Sequence, residues 1–307
     1  MDIKALIKKE RPSIKDSSLK AYLISLKKLN NNKEIENLNF LKDSEKVFDI
    51  IKNLALSTQR AYLTAVLVVI QAFKKEEFDS VFKIYRERLQ ELNNEYNEFI
   101  NKNEKTEKQN KNWVSLKTLN KVRNFYKKDL EEKGIMKKEN LSRLQLDLIQ
   151  RYLVSALYTL QPPIRLDYGN MKIIQNEKED DGKKNFLLVK GRNKKTFIFN
   201  DFKNKKSMGT KKIEVNKKLN SIINIWLNHN KTDNFLLNSK GEAMSENALS
   251  KYIKKTFKPS GKDIGLNLLR HIYISEHIDL DAMKKQKELA SQMMHSGEQQ
   301  IDYAKKD

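Results

Sequence analysis

The sequence contains no cysteine. That absence excludes disulfides, thiolate-based metal sites and a cysteine nucleophile. No Gly-rich phosphate loop opens onto a helix and no HExxH pattern is present, so the common nucleotide and zinc signatures are missing too. No apolar run approaches the roughly 20 residues that span a bilayer. The opening MDIKALIKKERPS has no apolar core followed by a small-residue cleavage site, which argues against a secretory signal. Acidic residues are in deficit: 61 Lys and Arg face 40 Asp and Glu, a net charge of +21 over 307 residues. Such a charge opposes compaction through self-repulsion. A polyanionic partner is its usual counterweight, because each phosphate neutralised by Lys or Arg releases condensed counterions. An AT-rich genome also enriches Lys and Asn, so charge alone does not select nucleic acid. The expectation at this level is an intracellular, non-membrane protein facing nucleic acid.

The length suits two domains, each with its own core. Residues 13–100 read as helical. Ser17-Ser18 offers a cap ahead of Leu19, Tyr22, Leu23, Leu26 and Leu29, which share one face. Asp43-Ser44 opens a second helix, Ser57-Thr58 a third carrying Tyr62, Val66, Val69 and Phe73, and residues 81–100 form a fourth. The first and third open alike and set Lys20 and Arg60 just after the cap, where a helix N-terminus and a cation can meet one phosphate. The alternative is two ordinary amphipathic helices with solvated bases. Residues 101–112, NKNEKTEKQNKN, have nothing apolar to bury and read as a linker.

Helices are expected near 115–132 and 141–160. After Pro162-Pro163 come four short runs rich in branched and aromatic residues, at 171–174, 186–189, 196–199 and 212–215, separated by Lys-rich turns with Gly182, Gly191 and Gly209. Helical periodicity returns at 219–228, at 245–257 and again toward the end. The expected fold is mainly α (α+β): a helical domain over 1–100, a linker over 101–112, and a mostly helical domain over 113–307 holding one small antiparallel sheet.

Of the four histidines, His229 and His277 read as surface residues; the other two fall in a patterned C-terminal segment. There Leu269-Arg270-His271 is followed by Ser275, then by Met294-His295-Ser296, then by Tyr303. In this order the chain resembles the tyrosine recombinase (lambda-integrase-like) family, in which an L-R-H-x-x-x-S box precedes a G-H-S box and a nucleophilic tyrosine. Tyr303 comes eight positions after His295, one short of the family's spacing. Gln161-Pro162-Pro163-Ile164-Arg165 stands where the family has its first arginine, at a helix end before the sheet. Its double proline resembles the variant found among integrases of large DNA viruses and their mobile elements. The family's lysine sits on a tight hairpin between two strands. Residues 201–209 fill that place, with Lys206 favoured by spacing and Lys203 close behind.

The resemblance implies a site-specific recombinase or integrase that cuts and rejoins double-stranded DNA through a 3′-phosphotyrosine. Tyr303 would attack phosphorus and conserve the bond for rejoining. Arg165 and Arg270 would grip the non-bridging oxygens, where a planar fork outperforms a point charge. His295 would donate a further hydrogen bond or assist proton movement, and a hairpin lysine would protonate the leaving 5′-oxygen. Lys20, Arg60, Lys205 and Lys211 would touch phosphates. The helices of 13–100 look like the family's DNA-clamping core-binding domain, and 113–307 like its catalytic domain. No cofactor is implied. The partners implied are duplex DNA and further copies of the chain, as a tetramer. The expected location is a prokaryotic cytoplasm, or the nucleus or viral factory of a host cell.

Taken singly, each residue has a plainer role. Arg165 after a Pro-Pro turn reads as a surface or capping arginine, and a lysine in a Lys-rich turn as a solvated charge. His271 reads as a hydrogen-bonding structural residue and Tyr273 as core. Arg270, inside the apolar run 264–274, is harder to dismiss, since a partly buried arginine needs an acceptor. Three departures stand out. Asn267 occupies the position, three before Arg270, where the family has His or Lys, and it cannot shuttle a proton. Met294 replaces a glycine. Four residues follow Tyr303, too few for the helix that many relatives dock onto a neighbour. Two alternatives therefore stay open: a type IB topoisomerase-like enzyme, and a DNA-binding protein of this fold with impaired catalysis.

Overall fold

The computed structural model describes residues 2–294 and Ser296; Met1, His295 and residues 297–307 lie outside the described residues. The chain divides into two compact units, Met1–Lys105 and Thr106–Asp307.

The first unit is helical: α1 (Ile3–Glu10), α2 (Asp16–Leu29), α3 (Ser44–Ile51), α4 (Leu56–Phe73) and α5 (Asp79–Asn101). α4 packs against all four of the others. It buries Leu63, Ala65, Val66, Val68, Val69 and Ile70, so apolar side chains nearly encircle it, as expected of a central helix. At 18 residues it is also long and apolar enough, by composition, to cross a membrane. The sequence reading did not foresee that, because Gln59, Arg60, Thr64 and Gln71 interrupt the run. Tyr85 of α5 is buried, donates its hydroxyl to the Leu41 carbonyl at 2.9 Å, and meets the Phe48 ring edge-on.

Two of the expected caps are corrected. Ser17 and Ser18 fall inside the first turn of α2, whose N-cap is Lys15, and α4 starts from Ala55; neither cap residue contributes a side-chain hydrogen bond. Asp43, by contrast, caps α3 by accepting from the Lys46 N–H at 3.0 Å.

The second unit opens with α6 (Glu107–Asn112), in a stretch expected to be linker. A capping box between Thr106 and Gln109 starts this helix. Its end is tied down by hydrogen bonds from Asp263 N to Asn112 Oδ1 at 3.0 Å and from Lys262 Nζ to the Lys111 carbonyl at 2.9 Å. Hydrogen bonds thus order a segment that has no apolar side chain to bury. Next come α7 (Leu116–Glu132), α8 (Arg143–Leu157), β1 (Lys172–Ile174), β2 (Phe186–Val189), β3 (Lys195–Phe199), α9 (Lys205–Met208) and β4 (Lys211–Glu214). The unit continues with α10 (Lys217–His229), α11 (Glu246–Thr256), α12 (Leu266–His277) and α13 (Leu280–Gln292).

α8 is the centre of this unit, packed on α7, α10 and α11, and every residue of its second half except Arg151 is buried. The four strands lie in the order β1-β2-β3-β4. β2 pairs with β3, and β3 with β4, antiparallel; β1 and β2 run parallel. The sheet is therefore mixed, not antiparallel as expected. The connection 175–185 crosses back before β2 begins, and strand periodicity carries no information on direction.

Period-2 alternation shares the strands between two cores. Leu187, Phe197 and Phe199 face the main core, where both phenylalanine rings meet Tyr168 and that of Phe197 also meets Phe235. Ile174, Phe186, Leu188 and Ile198 form a small cluster of their own. β4 is exposed throughout, with Lys211 and Lys212 on its edge, the kind of charge that discourages edge pairing.

Candidate active site

Arg165 lies in the loop after α8. Pro162 and Pro163 cannot continue a helix and bias the chain to an extended path. The loop is pinned from beneath: Tyr158, fully buried, donates its hydroxyl to the Arg165 carbonyl at 3.1 Å, and the Tyr158 and Tyr168 rings meet edge-to-face. Gln161 hydrogen-bonds the Tyr168 hydroxyl. Gly169 rests so close to the start of α11 that an added Cβ would lie 2.8 Å from the backbone nitrogen of Glu246. Asn170 N donates to the Met244 carbonyl at 2.8 Å. Above this base the Arg165 side chain is partly buried and makes no hydrogen bond or ion pair among the described residues. Its charge acts on Asp167. Burial raises the pKa of that carboxyl from its ordinary value, against the Asp167 backbone N–H and the Arg165 charge, while Asp201 adds to the rise.

The lysines lie in 200–210, between β3 and β4. This is not the tight hairpin expected: it includes the single turn α9. One buried amide ties it to the Arg165 loop. Asn185 Nδ2 donates to the Asp167 carbonyl at 3.0 Å and to the Asp201 carbonyl at 2.8 Å. Its Oδ1 accepts from the backbone nitrogens of Asn200 at 2.9 Å and Asp201 at 2.8 Å.

Lys203 follows Phe202, which packs on the main core, and is exposed. Lys206 is exposed on α9. Lys205 is turned inward, donating to Thr210 Oγ1 at 2.7 Å, and Thr210 in turn donates to Asn200 Oδ1 at 2.9 Å. It braces the turn through one of the three N–H donors of its ammonium. Lys211 is exposed at the start of β4, opposite Phe199.

α12 brings the third element. Leu269 and Ile272 anchor it in the core. Asn267 is exposed in its first turn, and Arg270 is partly buried with no hydrogen bond or ion pair among the described residues. His271, expected to be structural, is exposed; it lines a depression of about 520 Å³ together with Asn267 and Leu166, the neighbour of Arg165. The Arg165 loop therefore reaches the lysine turn on one side, through Asn185, and α12 on the other, through Leu166. No hydrogen bond joins Arg165, Lys203, Lys206, Asn267 and Arg270 directly among the described residues. His295 and Tyr303 lie outside the described residues.

Tyr273, expected in the core, is only partly buried and stacks on the exposed His277 at 4.1 Å. His229 is partly buried, with Nε2 at 3.3 Å from the Met136 carbonyl.

In the first unit Lys20 is exposed, beside Lys4, Lys8 and Asp16. Arg60 has internal partners: its Nε donates to Asn93 Oδ1 at 2.6 Å and its guanidinium lies 4.0 Å over the Tyr96 ring. Among the described residues no group of three or more His, Asp or Glu gathers as a metal site.

Sequence reasoning missed Asn185 and the buried Lys195. Lys195 Nζ donates to the Arg192 carbonyl at 2.8 Å, Asn220 Oδ1 at 2.9 Å and Asn224 Oδ1 at 2.5 Å, and burial lowers its pKa. No local pattern marks either residue, since their partners lie elsewhere in the chain or on the main chain. No protein-family model matches the chain, and no curated protein matches it.

Proposed function

We propose that the chain is a tyrosine recombinase: a DNA strand-transferase that cuts and rejoins duplex DNA through a phosphotyrosine at Tyr303. The observation that carries this reading is a pair of partly buried arginines, Arg165 and Arg270, without a hydrogen-bonding partner among the described residues. Elsewhere in the same unit such arginines are held: Arg123 by Asn120 and Thr159, Arg151 by Asp147. Removing a guanidinium from water without an acceptor is unfavourable, so two such groups on adjoining elements call for an anion from outside. A phosphodiester fits, because its two non-bridging oxygens match the guanidinium fork. The order of the Arg165, Lys203/Lys206, Arg270, His295 and Tyr303 motifs supports the same ligand.

In this reading the Tyr303 oxygen attacks phosphorus, the bond to the 5′-oxygen breaks, and the strand is held as a 3′-phosphotyrosine until a 5′-hydroxyl reverses the step. Arg165 and Arg270 balance the charge that builds on the phosphoryl oxygens, and His295 adds a hydrogen bond and takes up the phenolic proton that Tyr303 gives up. The leaving oxygen takes its proton from a lysine of the 200–210 turn. Lys203 is the better-held of the two, since it follows core-packed Phe202 and the Asn185-bound Asp201. The unit Met1–Lys105 acts as the DNA clamp, and exchange between two duplexes requires further copies of the chain. One observation favours a second reading, a DNA-binding protein with impaired cleavage: Asn267, exposed in the first turn of α12, has no proton to shuttle.

The test uses the full chain and its Tyr303→Phe variant on a duplex nicked beside a bound site, so that cleavage products are trapped. We expect a protein–DNA band that survives denaturant in the first and is absent in the second. Binding to that duplex with no such band in either would sink the enzyme reading in favour of the binding protein. Strand exchange between two duplexes then separates a recombinase from a topoisomerase.

A further inference from the structure

Arg123, on α7, is partly buried, and its Nη1 donates to two neutral acceptors, Asn120 Oδ1 at 2.8 Å and Thr159 Oγ1 at 2.7 Å. Burial lowers its pKa, opposed only by the Tyr152 hydroxyl; no carboxylate contributes. The side chain opens into a groove of about 550 Å³, within the size range of ligand sites. Lys217 and Lys218, at the start of α10, form one wall, and Tyr273 and His277 of α12 another. Among the described residues no Asp or Glu lines this groove. Four other surface depressions each carry at least one: Asp263, Asp147, Asp16, and Glu34 with Glu36.

The walls are fixed in advance. Asn216 accepts from Leu219 N at 3.0 Å and donates to the Leu160 carbonyl at 3.1 Å, which pins the start of α10 to the turn that follows α8. The Tyr273 and His277 rings stack within 14° of parallel, and His277 Nδ1 lies 2.8 Å from the Tyr273 carbonyl. A groove lined with cations and free of carboxylates is the element by which proteins follow a phosphate backbone. Arg270 is three residues before Tyr273 and seven before His277, hence on the same face of α12. From Arg270 to His277 the helix rises about 10 Å, the axial rise of about three nucleotides of one duplex strand.

We infer that this groove binds the sugar–phosphate backbone of the DNA strand a few nucleotides from the phosphate at Arg270, with Arg123 as its half-buried anchor and Lys217 and Lys218 as its outer contacts. The inference rests on the recombinase reading for the identity of the strand. Its own support is the groove. Phosphate oxygens supply the negative charge that the two neutral acceptors of Arg123 do not, and they complete a site from which carboxylates are missing.

The experiment measures binding of the full chain to a labelled mixed-sequence duplex across a salt series. Lys217→Gln/Lys218→Gln should flatten the log–log salt slope by about 1.8, and Arg123→Gln by about 0.9, at about 0.9 per lost phosphate contact. Lys127→Gln/Lys128→Gln, removing two exposed lysines already paired with Glu131 and Glu132, should leave it unchanged. Melting curves identify any variant that has not folded, and the exposed Lys217/Lys218 pair keeps the test open if Arg123→Gln is one. Wild-type binding with an unaltered slope in the Lys217/Lys218 variant would overturn the groove and leave the recombinase reading standing. No salt-dependent duplex binding by the wild type would overturn both. The expected slopes without a Tyr303-dependent adduct would remove the enzyme and keep the groove.

Discussion

The two units are built on different principles. In Met1–Lys105 every buried side chain is hydrophobic among the described residues, counting Tyr62 and Tyr85 as such. All nine buried polar or charged residues among the described ones belong to the second unit, including Gln150, Asn185, Lys195, Asn200 and Asn220. An apolar core needs the right volume and pattern and tolerates many ways of meeting it. A buried amide or ammonium demands particular partners at particular distances, because an unmet group is costly. The first unit therefore gains compactness from its interior. The second also gains position, and its buried amides hold the loops that carry the candidate site.

Asn185 puts that contrast under the most strain. Asn185→Ala should lower stability by about 3 kcal/mol, since it strips partners from two N–H groups and two carbonyls. It should also depress Tyr303-dependent adduct at saturating DNA. Urea unfolding reads the first effect and the denaturing gel the second; full adduct yield in a destabilised protein would show that Asn185 only stabilises.

Tyr85→Phe is the counterpart in the first unit. It removes one buried hydrogen bond, to the Leu41 carbonyl, and should cost about 1 kcal/mol in the same unfolding assay. Adduct yield should stay as in the wild type, and a drop would mean that this core also transmits position.

The smallest effect belongs to Glu177, an exposed carboxylate bonded to Lys190 and Lys212 at 2.7 Å each. These bonds lower its pKa from 4.5 to about 2. A carboxylate with a depressed folded pKa adds stability above its unfolded pKa and loses it as pH falls through the folded one. Wild type should thus exceed Glu177→Gln in melting temperature at neutral pH and low salt, with the gap closing between pH 4.5 and about 2. A gap that persists at the acid end would assign the stabilisation to something other than this charge.

Much of the fold was legible because it rests on periodicity. α3, α5, α7, α10 and α11 fall close to where apolar spacing places them, and the strand runs coincide with β1 to β4 within a residue. What periodicity does not encode was missed. Strand direction is one case, since alternation reads the same for parallel and antiparallel neighbours. The order in α6 is another, because it depends on Lys262 and Asp263, far along the chain. At the candidate site, Arg165 and Arg270 were found by motif. Asn185 and Arg123 were not, because an amide that bonds main-chain atoms and an arginine that lacks an acid look ordinary in a one-dimensional string. Lys205 and Arg60, marked for phosphates by position, also contact Thr210 and Asn93 with Tyr96, partners that spacing does not reveal.

Gly169 bears on how this molecule can drift. A methyl group there would meet the main chain of Glu246 at 2.8 Å, and main chain cannot swing aside as a side-chain tip can. The seat of the Arg165 loop is thus a meeting of two backbones, indifferent to the side chains around it. Lineages descending from this protein are free to rewrite the surface lysines, and even the residues flanking Arg165, while the floor under that arginine stays at one height. A library randomised at this position should return glycine alone, a record of the architecture left in a residue that has no side chain to offer the chemistry.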